Sequence, residues 1–314
     1  MKKVLTRKRA GICLILVAAL LCGGILTMGA AQNSGKTEKE AALPVKAAAK
    51  TGEVVYSNEK AKVDASNLAE GYLLVTYTGG KDVRIKVQIE KNGGTNYSYD
   101  LNNTGKTETF PLTEGDGTYA VRVYENTSGT KYAQAYATSV TATLRNDFLP
   151  FLYPNQYVNY TTSSKTATTA AALCAGKTDL EKVKAVFDYT VDNVKYDYAF
   201  AKEVSQGKHT GYLPVVDQTL NTKKGICFDY AALMTAMLRS QNVPCKLVIG
   251  YAGEVYHAWI NVYVPGTGWV DRVIYFDGNN WTLMDPTFTS SGKRSDSVMK
   301  YVTDQTNYTQ QYAY

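Results

Sequence analysis

The run Lys224-Gly225-Ile226-Cys227-Phe228-Asp229-Tyr230-Ala231-Ala232-Leu233-Met234-Thr235-Ala236-Met237-Leu238-Arg239-Ser240 reads as one helix that begins at a cysteine. Tyr230, Ala231, Met234, Met237 and Leu238 recur at three- and four-residue spacing and form its buried stripe. Asn242-Val243-Pro244 ends it, since proline cannot continue the hydrogen-bond ladder. Downstream the period changes to two. Lys246–Tyr251 and Val255–Val264 read as strands, and Pro265-Gly266-Thr267-Gly268 as a turn. Trp269–Phe276 and Trp281–Asp285 read as a pair joined across Asp277-Gly278-Asn279-Asn280. Upstream, Thr178-Asp179-Leu180-Glu181 is a capping box that starts a second helix. Leu180, Val183, Val186, Phe187, Val191 and Val194 share its buried face. Pro150 and Pro154 bracket an irregular, aromatic-rich approach, and a loop over about 199–219 leads to Cys227. Helices followed by antiparallel strands define an α+β domain over 146–314.

Three residues in this half carry chemistry: Cys227, His257 and Asp285. A thiolate can attack an amide carbon, an imidazole can move the proton, and a carboxylate can orient the imidazole. The chain has two histidines, His209 and His257, so the choice of base is narrow. Cys227 sits at a predicted helix start, where exposed N–H groups and the dipole favour a thiolate or an oxyanion. Lys223 and Lys224 add positive charge. His257 shares a strand face with Trp259, Asn261 and Tyr263, while Ala258, Ile260, Val262 and Val264 form the core face. His257 is therefore expected to project into a cleft, shielded by Trp259. Asp285 ends a neighbouring strand at Pro286. Each residue also has a bland reading, as a packed cysteine, a satisfied histidine and a common Asp-Pro strand exit. Zinc would need three or four ligands at close spacing, and Cys227 and His257 lack such partners. No calcium loop or nucleotide-binding glycine motif is present, so no metal and no cofactor is expected.

Gly225-Ile226-Cys227-Phe228-Asp229-Tyr230-Ala231-Ala232-Leu233, Met237-Leu238-Arg239-Ser240 through Val243-Pro244, Gly250-Tyr251, His257-Ala258-Trp259 and Asp285-Pro286-Thr287 together resemble the transglutaminase-like superfamily, and exported bacterial members in particular. Val194-Lys195-Tyr196-Asp197 and the tail Tyr301-Val302-Thr303-Asp304 with Tyr308 fit the same pattern. The resemblance covers about 147–314. It implies a papain-like core of helices packed on an antiparallel sheet. It implies Cys227 as nucleophile, His257 as base and acid, and Asp285 as orienting carboxylate. Tyr196, Trp259 and Trp281 are then candidates to line the cleft. Gln218, nine residues before the nucleophile, is either the amide donor of an oxyanion hole or an ordinary loop residue. His209 reads as a solvated loop residue.

The segment 53–145 alternates apolar and polar residues in Glu53–Tyr56, Gly71–Tyr77, Arg84–Glu90, Thr107–Leu112, Tyr119–Glu125 and Ala137–Leu144. Gly79-Gly80, Asn92-Gly93-Gly94, Asp116-Gly117 and Ser128-Gly129 punctuate these runs. This is the pattern of an all-β, Ig-like sandwich that precedes the catalytic domain. It contains no His and no Cys, so it reads as a spacer or binding module. Residues 32–52 read as a linker.

Residues 1–31 combine Lys2, Lys3, Arg7, Lys8 and Arg9 with an apolar run from Ile12 to Met28 and small residues Gly29 to Ala31. This is a signal peptide or, if uncleaved, a membrane anchor, which would be the chain's only membrane contact. Removing it takes five positive charges and no acids, so the formal +6 falls to +1. A near-neutral mature chain implies no nucleic-acid partner. Three cysteines would remain, Cys174, Cys227 and Cys245, so at least one is an unbridged thiol or pairs between molecules; Cys174 and Cys245 either pair or lie buried as thiols. The expected protein is a secreted or cell-surface monomer that acts on a protein or peptide, such as a cell-wall or surface protein. Its thioester would resolve by water or by an amine. The rival reading is a non-catalytic binding or adhesion module on the same scaffold, against which the intact triplet argues.

Overall fold

A computed structural model describes residues 45–271, 274–276, 281–283 and 308–314. Asp285, the N-terminal segment 1–31 and the tail motif at Tyr301–Asp304 lie outside these residues. The first half is built from β1 (Val55–Ser57), β2 (Ala61–Asp64), β3 (Tyr72–Tyr77), β4 (Ile85–Lys91), β5 (Asn96–Leu101), β6 (Glu108–Pro111), β7 (Gly117–Ser128) and β8 (Lys131–Ala142). They form two four-stranded antiparallel sheets, ordered β1-β2-β3-β6 and β5-β4-β7-β8. The alternation of Ile85, Val87 and Ile89 against Lys86, Gln88 and Glu90 is reproduced as buried and half-buried positions. Strands β2 and β5 were not expected from the sequence. Each is short and polar on one side, and is held by neighbours already in place: Asp64 opposite Leu74, and Tyr99 opposite Val87. Contacts between the sheets include Tyr99 edge-on to Phe110 at 4.8 Å and the Tyr77 hydroxyl donating to Glu125 at 2.8 Å.

The second half comprises α1 (Lys165–Cys174), α2 (Asp179–Asn193), β9 (Lys195–Tyr196), α3 (Tyr198–Ser205), α4 (Val216–Thr222), β10 (Lys224–Gly225), α5 (Cys227–Ser240), β11 (Cys245–Ala252), β12 (Val255–Val264), β13 (Gly268–Val270), β14 (Ile274–Phe276), β15 (Trp281–Leu283) and β16 (Tyr308–Ala313). This is an α+β arrangement. α5 spans Cys227–Ser240 as expected, and it is buried from Asp229 to Ser240. α1, α2 and α4 pack around it on the helical side, and β11 and β12 on the other. The sheet runs β13-β12-β11-β16 and is antiparallel throughout. The Thr178–Glu181 capping box is present, with the Glu181 carboxylate accepting the Thr178 N–H at 2.8 Å.

Two expectations are corrected. The span 199–219 is not one loop, since it contains α3 and the start of α4. Asp197 caps α3 by accepting the Phe200 N–H at 3.1 Å, a signal the sequence carried. Trp269–Phe276 is also not one strand. Gly268–Val270 pairs with β12, while Ile274–Phe276 turns away to pair with Trp281–Leu283. The expected pairing on either side of 277–280 is present, Phe276 opposite Trp281, with a shorter first arm. The two halves meet in an aromatic cluster. Tyr97, Tyr99 and Tyr157 each meet Tyr314 edge-on at 4.6–5.7 Å, Tyr99 is tilted against Tyr157 at 5.6 Å, and Tyr97 stacks on Tyr99 at 6.4 Å.

Candidate active site

Cys227 is positioned by a turn that segments distant in sequence hold in place. β9 and β10 pair in parallel, Lys195 with Lys224 and Tyr196 with Gly225. The Asp197 N–H donates to the Gly225 carbonyl at 2.9 Å. Ile226 is extended and starts α5, so Cys227 is the first helical residue. Its N-cap, Ile226, has no oxygen to cap the helix. Asp229 serves that end instead. One of its carboxylate oxygens accepts the Ile226 N–H at 2.8 Å, and the other accepts the Tyr212 hydroxyl at 2.5 Å. Asp229 is 2% exposed. Burial pushes its carboxyl above the usual range, nearby Asp197 adds to this, and the bonds from Tyr212 and Ile226 oppose it. Glycine at 225 is required here. A Cβ would lie 2.5 Å from that of Asp229.

Cys227 is partly exposed, whereas Cys174 and Cys245 are buried and unbridged. Burial pushes the Cys174 thiol up to about 11 and the Cys245 thiol up to about 12. Lys224 lies 3.9 Å from the Asp197 carboxylate, which offsets part of its charge. Lys223 takes a left-handed backbone at the end of α4.

His257 lies on β12 opposite Gly250 of β11. The sequence placed it facing a cleft, shielded by Trp259, but from His257 to Val262 β12 is buried on both faces: His257 is 5% exposed and Trp259 2%. The reason is tertiary. α5 packs against β12, and Trp259 joins Val248, Ala252, Tyr308 and Ala313 in a second small core. The His257 ring lies nearly parallel to Trp259, with centroids 6.5 Å apart. Gly250 makes this packing fit. A Cβ there would meet the Thr309 carbonyl at 2.1 Å and the Trp259 ring at 2.8 Å. Gly250→Ala is therefore expected to lever β16 off β11 beside His257, and to cost about 1–3 kcal/mol in thermal or denaturant unfolding.

The remaining sequence candidates fall in different places. Tyr196, paired with Gly225, adjoins the Cys227 turn, and its ring packs on Tyr198 at 4.9 Å. Gln218 is on α4, not in a loop, and lines a cavity with Gly225 and Asp229. Trp281 is in β15, paired with Phe276. His209 pairs with Glu203 at 2.8 Å and lies tilted against Phe200 at 4.8 Å. Asp229 and Tyr212 were missed. The capping position of Asp229, two residues after Cys227, was the available signal; nothing local marks Tyr212.

Residues 166–272 match the profile of the transglutaminase-like superfamily, so this segment is transglutaminase-like. Among individual proteins, the chain is similar to human kyphoscoliosis peptidase, 31% identical over 125 residues that make up 36% of this chain and 16% of that one. It is also similar to the protein-glutamine gamma-glutamyltransferase of Pseudomonas aeruginosa, 26% identical over 29% of this chain and 14% of that one. A candidate cysteine protease of known structure from Cytophaga hutchinsonii aligns over 83% of this chain and 74% of its own, at 17% identity and a TM-score of 0.37. The chain thus spans a small part of the length of these two sequence relatives.

Proposed function

We propose that this protein is a secreted or cell-surface cysteine acyl-transfer enzyme acting on peptide or side-chain amides. The observation that carries the reading is Cys227, a partly exposed thiol at the first position of a buried helix, in a chain whose other two described thiols are buried. The Cys227 thiolate adds to the amide carbon. The C–N bond breaks, His257 gives the leaving amine its proton, and a thioester remains. Asp285 orients the imidazole. Water then resolves the thioester, returning the thiol and a carboxylic acid. The names of the two relatives lie on either side of this last step, one a peptidase and one a glutamyl transferase. The amine-accepting reaction is therefore the second reading. The two N-terminal sheets serve as an Ig-like module that presents the enzyme, as a monomer, to cell-wall or surface protein.

Alkylation with iodoacetamide across a pH series, read by peptide mapping, tests the nucleophile. Cys227 should be alkylated selectively in the folded protein, and more slowly in His257→Ala. Cys174 and Cys245 should remain unlabelled in the folded protein. A Cys227 whose rate of alkylation is indifferent to the loss of His257 would overturn the reading.

A further inference from the structure

Beside the Cys227 turn lies a cavity of about 430 Å³ whose walls include Asp197, Phe200, Tyr212, Gln218, Lys224 and Asp229. Its position is set by the same hydrogen bonds that hold the nucleophile turn, because Gly225 and Asp229, two residues either side of Cys227, both line it. We infer that this cavity is the subsite for a long basic side chain of the substrate, lysine in type, next to the amide that Cys227 attacks. The inference rests on that reading of Cys227 for its catalytic meaning, but binding in the cavity can be measured without it.

Three features of the cavity select the cation. First, two carboxylates face it. Asp197 uses one oxygen to cap α3, and its other oxygen points towards Lys224. Asp229 is buried beneath, and a cation in the cavity would relieve the cost of its charge. Second, the basic side chains of the lining already have partners: Lys224 is 3.9 Å from Asp197 with a 61% exposed side chain, and the His209 ring is 2.8 Å from Glu203. Third, Phe200 and Tyr212 stand edge to face at 4.9 Å, a wall suited to an aliphatic stem and an ammonium tip. Exposed Tyr198 and Val215 extend apolar surface on the adjoining elements, and Val215 itself lines the cavity. An anionic side chain would instead meet two like charges.

The test uses full-length Cys227→Ser protein, isotope-labelled for NMR, and the probes acetyl-Gly-Lys-Gly-amide and its norleucine and glutamate counterparts. The lysine probe should shift the amides of Phe200, Tyr212 and Gly225, and bind about five-fold or more tightly than the norleucine probe. Asp197→Asn keeps the helix cap and should bring the two probes to within about two-fold. Lys224→Met, which removes the competing ammonium, should strengthen the lysine probe by about two-fold or more. Equal binding of lysine and norleucine, preference for glutamate, or shifts confined to other residues would overturn the inference. If the cavity takes lysine but Cys227 alkylation is indifferent to the loss of His257, the enzymatic reading fails and the subsite stands. The reverse pair of results removes the subsite alone.

Discussion

Replacement of Cys227 by alanine is expected to lower acyl-transfer turnover by roughly 10⁴-fold or more, with little change in substrate binding. Alanine has no electron pair for the amide carbon, so what is left is the polarisation supplied by the helix N-terminus. Stability should hardly move, because the thiol is partly exposed at the first turn of α5 and its removal opens no buried cavity. His257→Gln should cause a comparable fall. The double variant should lose no more than either single one, since a nucleophile and its base act as a unit. Steady-state kinetics beside thermal melts separate these effects. A Cys227→Ala protein that is folded and within about ten-fold of the parent would remove Cys227 from the mechanism. Intact mass under single turnover supplies the complementary observation, an acyl adduct on Cys227 in the parent and none in the variant.

Arg239→Met is expected to destabilise the protein by about 3–5 kcal/mol and to lower its melting temperature by on the order of 10 °C. Arg239 is fully buried. Its guanidinium donates to three backbone carbonyls: Cys245 at 2.9 Å, Tyr153 at 2.7 Å and Tyr314 at 2.6 Å. Those carbonyls belong to the start of β11, the approach to α1, and the residue after β16. One side chain in the last turn of α5 therefore ties together three separate segments. Burial pulls the guanidinium down to about 10, with Cys245 and Tyr160 opposing, which leaves it charged at neutral pH. Methionine would remove the cost of burying that charge, but three buried carbonyls lose a strong donor, at about 1–3 kcal/mol each. The second effect is the larger. Arg239→Lys keeps the charge without the planar fork and should fall between the two. Urea unfolding of the three proteins measures this; a loss under about 1 kcal/mol for Arg239→Met would show that the clamp is not a stabilising element.

What could be read from the chain was local. The α5 stripe from Tyr230 to Leu238 and the Thr178–Glu181 box each lie within a few residues and are dictated by helical period and capping. The alternation around Val87 likewise gave a real strand with its inner face assigned correctly. β2 escaped notice because four residues are too few for a period of two to stand out. α3 escaped because its best marker is a single capping aspartate, Asp197, in a stretch rich in turn residues.

The amino-acid sequence by itself determined that a cysteine would stand at the start of a buried helix and that a histidine would sit on a downstream strand. Capping, helical stripe and strand alternation are properties of neighbouring residues, and they survive whatever the rest of the chain does. Only the tertiary structure decided that β12 is buried on both faces from His257 to Val262, that Tyr212 reaches Asp229 across 17 residues, and that Arg239 reaches Tyr153 across 86 and Tyr314 across 75. The cavity beside Cys227 belongs to this second group, because its walls come from β10, α3, α4, α5 and the loop between α3 and α4. The physical reason is that burial and hydrogen-bond partnership depend on which surfaces the whole fold brings together, and no local window of sequence contains both sides of such a contact.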